Sequence, residues 1–325
     1  MTVDKTNKDS VHNAHNNLFI KTFSDVENVK ILLNMALPGA VKNAIDFSTT
    51  EIDFTTYVSD DIKDHYSDIV VKTRMKTIDG EGIRTDIYIL VEHKSTAKKK
   101  DLVQVLKYMY LGWQSDVDQK KPLRVIIPLI FYHGKKKWNV PRSFVDQFNV
   151  DDEIKKFLLN YRYILFDTRD WNFLDEANAE LKNNVFLLTA LVLMKSAFND
   201  DLETIEAIFN LWYEKGFIEE KNKVLSFLMY ITEIRDIPLD KLQEKLRESK
   251  IEGGDLMPSL AQRLRAEGER IGVKKGVKEG LQKGMQKGIK ETAGRMLERG
   301  FDLDTISDIT GLDKKEIKKM ASTSH

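Results

Sequence analysis

Residues 67–93 carry the feature that most constrains the fold. Ser67 to Lys76 is rich in Val, Ile and Thr, Asp79-Gly80-Glu81-Gly82 spells a turn, and Ile87-Tyr88-Ile89-Leu90-Val91 runs on without a polar break. Such stretches on either side of a glycine-containing turn predict a β-hairpin with a loop of several residues. A second strand without alternation predicts cover on both faces, and therefore a central place in its sheet. At the end of that strand stands Glu92-His93-Lys94, and near the start of the first stands Asp68.

Pairing the strands about Gly80 places Asp68 opposite Glu92. Directly opposed residues have Cβ atoms about 4.5–5.5 Å apart, close enough for two carboxylates to share one cation. A slip by one residue would send the side chains to opposite faces. Alternation puts Glu92 and Lys94 on one face and His93 on the other. Two carboxylates this close repel unless a divalent cation neutralises them. Mg²⁺ is the natural candidate, since it takes oxygen ligands, keeps several waters and shares its shell with phosphate. Such an ion polarises a scissile phosphate and acidifies a bound water, while Lys94 orients the water or stabilises charge on phosphorus. Gln104 and Tyr108, four residues apart, lie on one helix face from which they could brace the site. The competing reading is a surface acid opening a strand and an unremarkable same-face pair at a strand end.

Around the hairpin the pattern changes period. Residues 1–14 are polar and aperiodic and read as disordered. Leu18 to Leu37 has helical spacing and stops at Pro38-Gly39. Ile45 to Tyr57 contains a short strand, and Asp101 to Asp116 is a helix with Leu102, Val105, Leu106, Met109 and Trp113 on one side. Leu123 to Tyr132 is an apolar strand that Pro128 breaks or places at an edge, and Tyr161 to Phe166 is another. Four helix-like segments follow: Val185–Phe198, Leu202–Tyr213, Lys221–Ile234 and Leu239–Glu248. The expected divisions are a domain over 15–170, a helical subdomain over 171–250, a linker and basic repeat over 251–291, and a small helical tail over 292–325.

Within the repeat, Gly268, Gly272, Gly276, Gly280, Gly284 and Gly288 recur every four residues among Lys, Glu and Gln. Each glycine costs a helix about 1 kcal/mol relative to alanine. Successive glycines would form a slowly spiralling groove open to another helix. A flexible basic spacer and an oligomerisation helix that makes a homodimer or higher oligomer both fit. Beyond it, Thr305-Ile306 with Ile309-Thr310-Gly311-Leu312 has helix-turn-helix spacing, with a capping mini-bundle as the alternative.

Composition excludes several chemistries. The chain of 325 residues has no cysteine, so thiolate zinc, iron–sulfur and disulfide frameworks are out. The histidines show no HxH or HExxH spacing, and neither a P-loop nor a GxSxG elbow occurs. The first eighteen residues lack an apolar core and nothing later approaches the roughly 20 apolar residues of a membrane span, so the expectation is a cytoplasmic protein without a membrane partner. Fifty-one basic residues balance fifty-one acidic ones, and any DNA-binding charge must be local. Candidate patches are Lys98-Lys99-Lys100, Lys120-Lys121, Lys135-Lys136-Lys137 and the repeat.

The series His15-Asn16-Asn17-Leu18-Phe19, Phe23-Ser24-Asp25, Ser67-Asp68-Ile69-Val70, Ile87 to Ser95, Gln104-x-x-x-Tyr108-Met109 and Pro128-Leu129-Ile130-x-Tyr132-His133-Gly134 resembles the Rpn family of recombination-promoting, transposase-like nucleases in the PD-(D/E)xK superfamily. The resemblance implies an α/β fold with a restriction-endonuclease-like core, a central mixed sheet flanked by helices, then a helical subdomain and a glycine-repeat helical tail. It implies Mg²⁺-dependent DNA cleavage linked to recombination or DNA mobility, with Asp68 and Glu92 as metal ligands, Lys94 as the motif lysine and Gln104 as the associated helix residue. Family members usually carry His-Asp where this chain has His15-Asn16, which implies weaker metal binding if that acid is a ligand. The alternative from another class is a weak or inactive nuclease fold acting as a DNA-binding or assembly module.

Overall fold

The structure, a computed structural model, describes residues 14–53, 69–76, 83–92, 99–176, 179–198, 202–235 and 237–321, with 83–92 described by their backbone. Contacts divide the chain into two units, Met1–Met257 and Pro258–His325. Asp68, His93, Lys94 and Lys98 lie outside the described residues, as does the polar segment 1–13.

The first unit opens with helix α1 (14–23) and helix α2 (Val26–Ala36). The break between them is set by Asp25, whose carboxylate accepts from the Glu27 N–H at 2.9 Å and caps α2. After the short α3 (Gly39–Ala44) comes a five-stranded sheet of β1 (Ile45–Asp53), β2 (Ile69–Met75), β3 (Ile83–Glu92), β4 (Val125–Tyr132) and β5 (Ile164–Asp167), adjacent in that order. The first three strands are antiparallel, while β3, β4 and β5 run parallel. β3 is therefore the middle strand of a mixed sheet, and the architecture is α/β.

Two strand expectations need correction. The hairpin runs from Ile69 opposite Ile89 to Met75 opposite Ile83, so its centre falls one residue before Gly80 and every partner shifts by two. A shift of two keeps each side chain on its face. Pro128 neither breaks β4 nor removes it from the interior of the sheet: it pairs with Tyr88 on β3. Pairing with β5 begins only at Leu129, so Pro128 sits where β4 has no neighbour on that side and its missing N–H leaves no gap. At the outer edge, the pairing of β1 with β2 shifts register between Asp46 and Glu51.

The parallel step from β3 to β4 requires a crossover, supplied by helix α4 (Lys99–Asp118). Leu102, Val105, Tyr108 and Met109 of α4 bury against Val70, Ile126, Ile130 and Tyr132 of the sheet. α4 lies close enough to β4 that a Cβ added at Gly112 would meet Ile126 Cδ1 at 3.1 Å. On the opposite face, Phe19 and Phe23 of α1 pack edge-on against Phe131 at 5.4 and 5.8 Å. The sheet is thus covered on both sides.

Helices α5 (Val185–Lys195), α6 (Leu202–Glu214), α7 (Lys221–Ile234) and α8 (Leu239–Glu248) complete this unit. α5 is apolar nearly all round and buried. Asn184 caps it through Leu187 N at 3.0 Å and donates to Asn28 Oδ1 at 2.6 Å, tying α5 to α2. The regions on either side of residue 170 share one contact unit.

The glycine repeat is helical. After the non-helical stretch 251–255, α9 (Leu256–Glu298) runs through 43 residues. In the second unit it is followed by α10 (Leu303–Thr310) and α11 (Lys314–Ala321), joined through Gly311 at φ 68°. Ala293, Ile306 and Ile317, with Met296, Leu297, Leu303 and Leu312 against them, form its core. Among the described residues, no helix is long and apolar enough to cross a membrane.

Candidate active site

One residue of the expected site, Glu92, stands where parallel strands end. Glu92 closes β3 and pairs with Tyr132, the last residue of β4, which in turn pairs with Asp167, the last of β5. The side chain of Glu92 lies outside the described residues, as do Asp68 and Lys94, so the convergence of the three remains an expectation.

Tyr132 is fully buried, its hydroxyl donates to the Lys136 carbonyl, and its ring meets Trp138 edge-on at 5.0 Å. Asp167 is 4% exposed and takes the Arg169 guanidinium through Nε at 2.9 Å and through Nη2. Arg169 also lies over the Tyr132 ring at 5.4 Å. Its hydrogen bond to Asp167 holds the guanidinium pKa above its ordinary value. A charged pair and an aromatic shelf therefore fix the ends of β4 and β5.

The two helix residues named from sequence fall on α4. Gln104 is half-buried, and Tyr108, one turn on, is 3% exposed and packs in the cluster that contains Val70 and Tyr132. Their helix is thus laid over the sheet face on which Val70, two residues after Asp68, is buried. Of the Lys98-Lys99-Lys100 patch, only the Lys100 side chain is described, and it is exposed.

Sequence reasoning placed His15 and His133 in separate motifs and did not join them into the buried polar group beside this strand end. His133 follows β4 immediately, is 1% exposed, and meets the His15 ring at 4.9 Å. The Tyr230 hydroxyl lies 2.8 Å from His15 Nδ1, and burial pushes its pKa well up. Three segments, α1, the end of β4 and α7, are joined here through side chains up to 215 positions apart. Asn16, beside His15, has a buried Oδ1 with no hydrogen-bond partner among the described residues. Asp101, in the first turn of α4, is likewise buried at 1% exposure. An acid at a helix start was the only signal of it in the sequence. Among the described residues, no three His, Asp or Glu side chains assemble into a metal-binding group.

Comparison with known proteins agrees with this layout. The family described as "Putative transposase, YhgA-like" matches residues 13–223, and the "Rpn/YhgA-like nuclease family, C-terminal HTH domain" matches residues 281–322. The recombination-promoting nuclease RpnA of Escherichia coli K12 is 23% identical over 318 residues, covering 97% of this chain and 98% of that protein. The inactive recombination-promoting nuclease-like protein RpnE of the same strain is 23% identical over 315 residues, covering 95% and 98%. RpnD of E. coli O157:H7, also named a recombination-promoting nuclease, is 24% identical over 158 residues, covering 47% of this chain and 58% of that protein. No solved structure matches the chain significantly. With a family match across most of its length and a helix-turn-helix domain of the same family at its end, the chain belongs to the YhgA-like family of Rpn nucleases.

Proposed function

We propose that the protein is a divalent-cation-dependent DNA endonuclease with a restriction-endonuclease-like core, acting in recombination or DNA mobility. The observation that carries this reading is the place of Glu92 at the carboxyl end of the central strand, beside the parallel end of β4. Open α/β sheets gather ligands at the carboxyl ends of their strands. The donors offered there by the sequence, Asp68 and Glu92, are hard oxygens, which fits Mg²⁺ and not a thiolate metal. When bound, the cation would supply charge to polarise the scissile phosphate and acidify a water. Lys94 orients that water or offsets charge on phosphorus, and Gln104 and Tyr108 brace the site from α4. The helix-turn-helix domain brings the DNA.

A supercoiled plasmid tests this directly. Wild-type protein is expected to nick it with Mg²⁺ and to stop with EDTA, while Asp68→Ala and Lys94→Ala lose nicking. Equal cutting by all three, or none by the wild type, would sink the reading. In the second case a DNA-binding or assembly role takes its place, a role favoured by the name of the inactive relative RpnE. A salt-sensitive DNA shift that survives Asp68→Ala but disappears on removal of residues 258–325 would establish it.

A further inference from the structure

We propose that Lys135, Lys136 and Lys137 form a ridge that grips the phosphodiester backbone of duplex DNA beside the scissile bond. The inference rests on the nuclease reading above and assigns its substrate cradle. All three side chains are exposed, and among the described residues none has an acidic partner. Several other surface lysines are neutralised within a turn: Lys155 by Asp152 at 3.0 Å, Lys156 by Glu153 at 2.5 Å, Lys223 by Glu220 at 2.5 Å, and Lys245 by Glu248 at 2.6 Å. Three adjacent ammonium groups with no counter-charge among the described residues repel one another and attract an external polyanion.

The loop that carries them is held, not loose. The Tyr132 hydroxyl donates to the Lys136 carbonyl. At its far end Trp138 is 7% exposed and donates its indole N–H to the Tyr163 hydroxyl at 2.7 Å and the Val140 carbonyl at 3.1 Å. A pinned backbone presenting free charges loses little entropy on binding.

Position separates this run from the other lysine pairs. β3 and β4 are parallel, so Glu92 and Tyr132 end at the same edge of the sheet. Lys135 follows Tyr132 by three residues, a reach of at most about 10 Å. Lys120 and Lys121 instead precede the start of β4 at Val125, and so belong to the opposite edge. Of these two runs, Lys135-Lys136-Lys137 is the one that borders the strand end where phosphate would be cut.

The test uses the full chain and a labelled DNA duplex in EDTA, with affinity measured across a salt series. Each phosphate contact contributes about 0.9 to the slope of log K against log salt. Lys135→Gln/Lys136→Gln/Lys137→Gln is expected to lower the slope by about 2 to 3 and each single change by about 1. The triple Lys→Arg variant keeps the wild-type slope, and so does Lys120→Gln/Lys121→Gln. An unchanged slope in the triple Gln variant, while the wild type binds and nicks, overturns the ridge and leaves the nuclease reading standing. An equal loss from Lys120→Gln/Lys121→Gln overturns its placement. Absence of binding by the wild type at every salt concentration overturns both.

Discussion

Arg124 and Asp116 close on each other inside the first unit, Nη2 to Oδ1 at 2.6 Å and Nε to Oδ2 at 2.8 Å, with 4% and 0% of their side chains exposed. Asp116 Oδ2 also accepts from the Arg124 backbone N–H at 3.0 Å, and Trp113 donates to the Arg124 carbonyl at 3.0 Å. The last turns of α4 are thereby stapled to the entry of β4, which fixes the helix that carries Gln104 and Tyr108.

Removing one partner of a buried pair strands the other charge. Asp116→Ala is expected to lower unfolding free energy in urea by about 3–5 kcal/mol, and Arg124→Ala by a similar amount. Losses of well under about 1 kcal/mol would place the pair among weak surface bridges.

Gln104→Ala should separate support from folding. Its side chain is half-buried, so the urea midpoint should barely move. Nicking rate or Mg²⁺ affinity should fall by about 10- to 100-fold, the usual effect of losing a group that orients a metal site. Unchanged Mg²⁺ dependence would remove Gln104 from the site.

The repeat in α9 exposes an apolar ridge beside its glycines: Val273, Val277, Leu281 and Met285 are 66–74% exposed. An added Cβ at Gly272, Gly276, Gly280 or Gly284 would meet nothing within 4 Å. A second copy of the helix could approach there closely. Val277→Glu/Leu281→Glu is expected to halve the mass or more in sedimentation equilibrium, and a wild type that sediments as a monomer would refute this role.

Asp302 caps α10, accepting from Thr305 N at 2.9 Å and from its hydroxyl at 2.7 Å. Chiefly the Thr305 hydroxyl bond holds the carboxyl below its usual value of 3.8. A lowered folded-state pKa contributes stability in full above the unfolded value, which fades as pH falls through the lowered one. Asp302→Ala should therefore melt earlier than wild type near neutral pH, with the gap closing well below pH 3.8. A gap independent of pH would mean that charge is not what the cap supplies.

Much of this arrangement was legible from local pattern. The boundaries of α7 and α8 match the apolar periodicity of Lys221–Ile234 and Leu239–Glu248, and the unbroken Ile87–Val91 run announced a central strand. Register was not, because a loop from Lys76 to Ile83 does not say where its midpoint lies, and the pairing moved by two. Pro128 was misread because its effect depends on the length of β5, a strand elsewhere in sequence. The His15–His133–Tyr230 contact was not legible: the two histidines stand in separate motifs, nothing local ties them to each other or to Tyr230, and only the fold brings them together.

The two outer strands of the sheet have a further consequence. A strand edge is a template for another chain when it offers a long, straight row of unpaired N–H and C=O groups. β5 offers four residues, and along β1 the pairing with β2 shifts register between Asp46 and Glu51, an irregularity that bends a strand. Among the described residues, a short edge and an irregular one are both poor templates for a neighbouring strand, which disfavours strand-by-strand polymerisation in crowded solution.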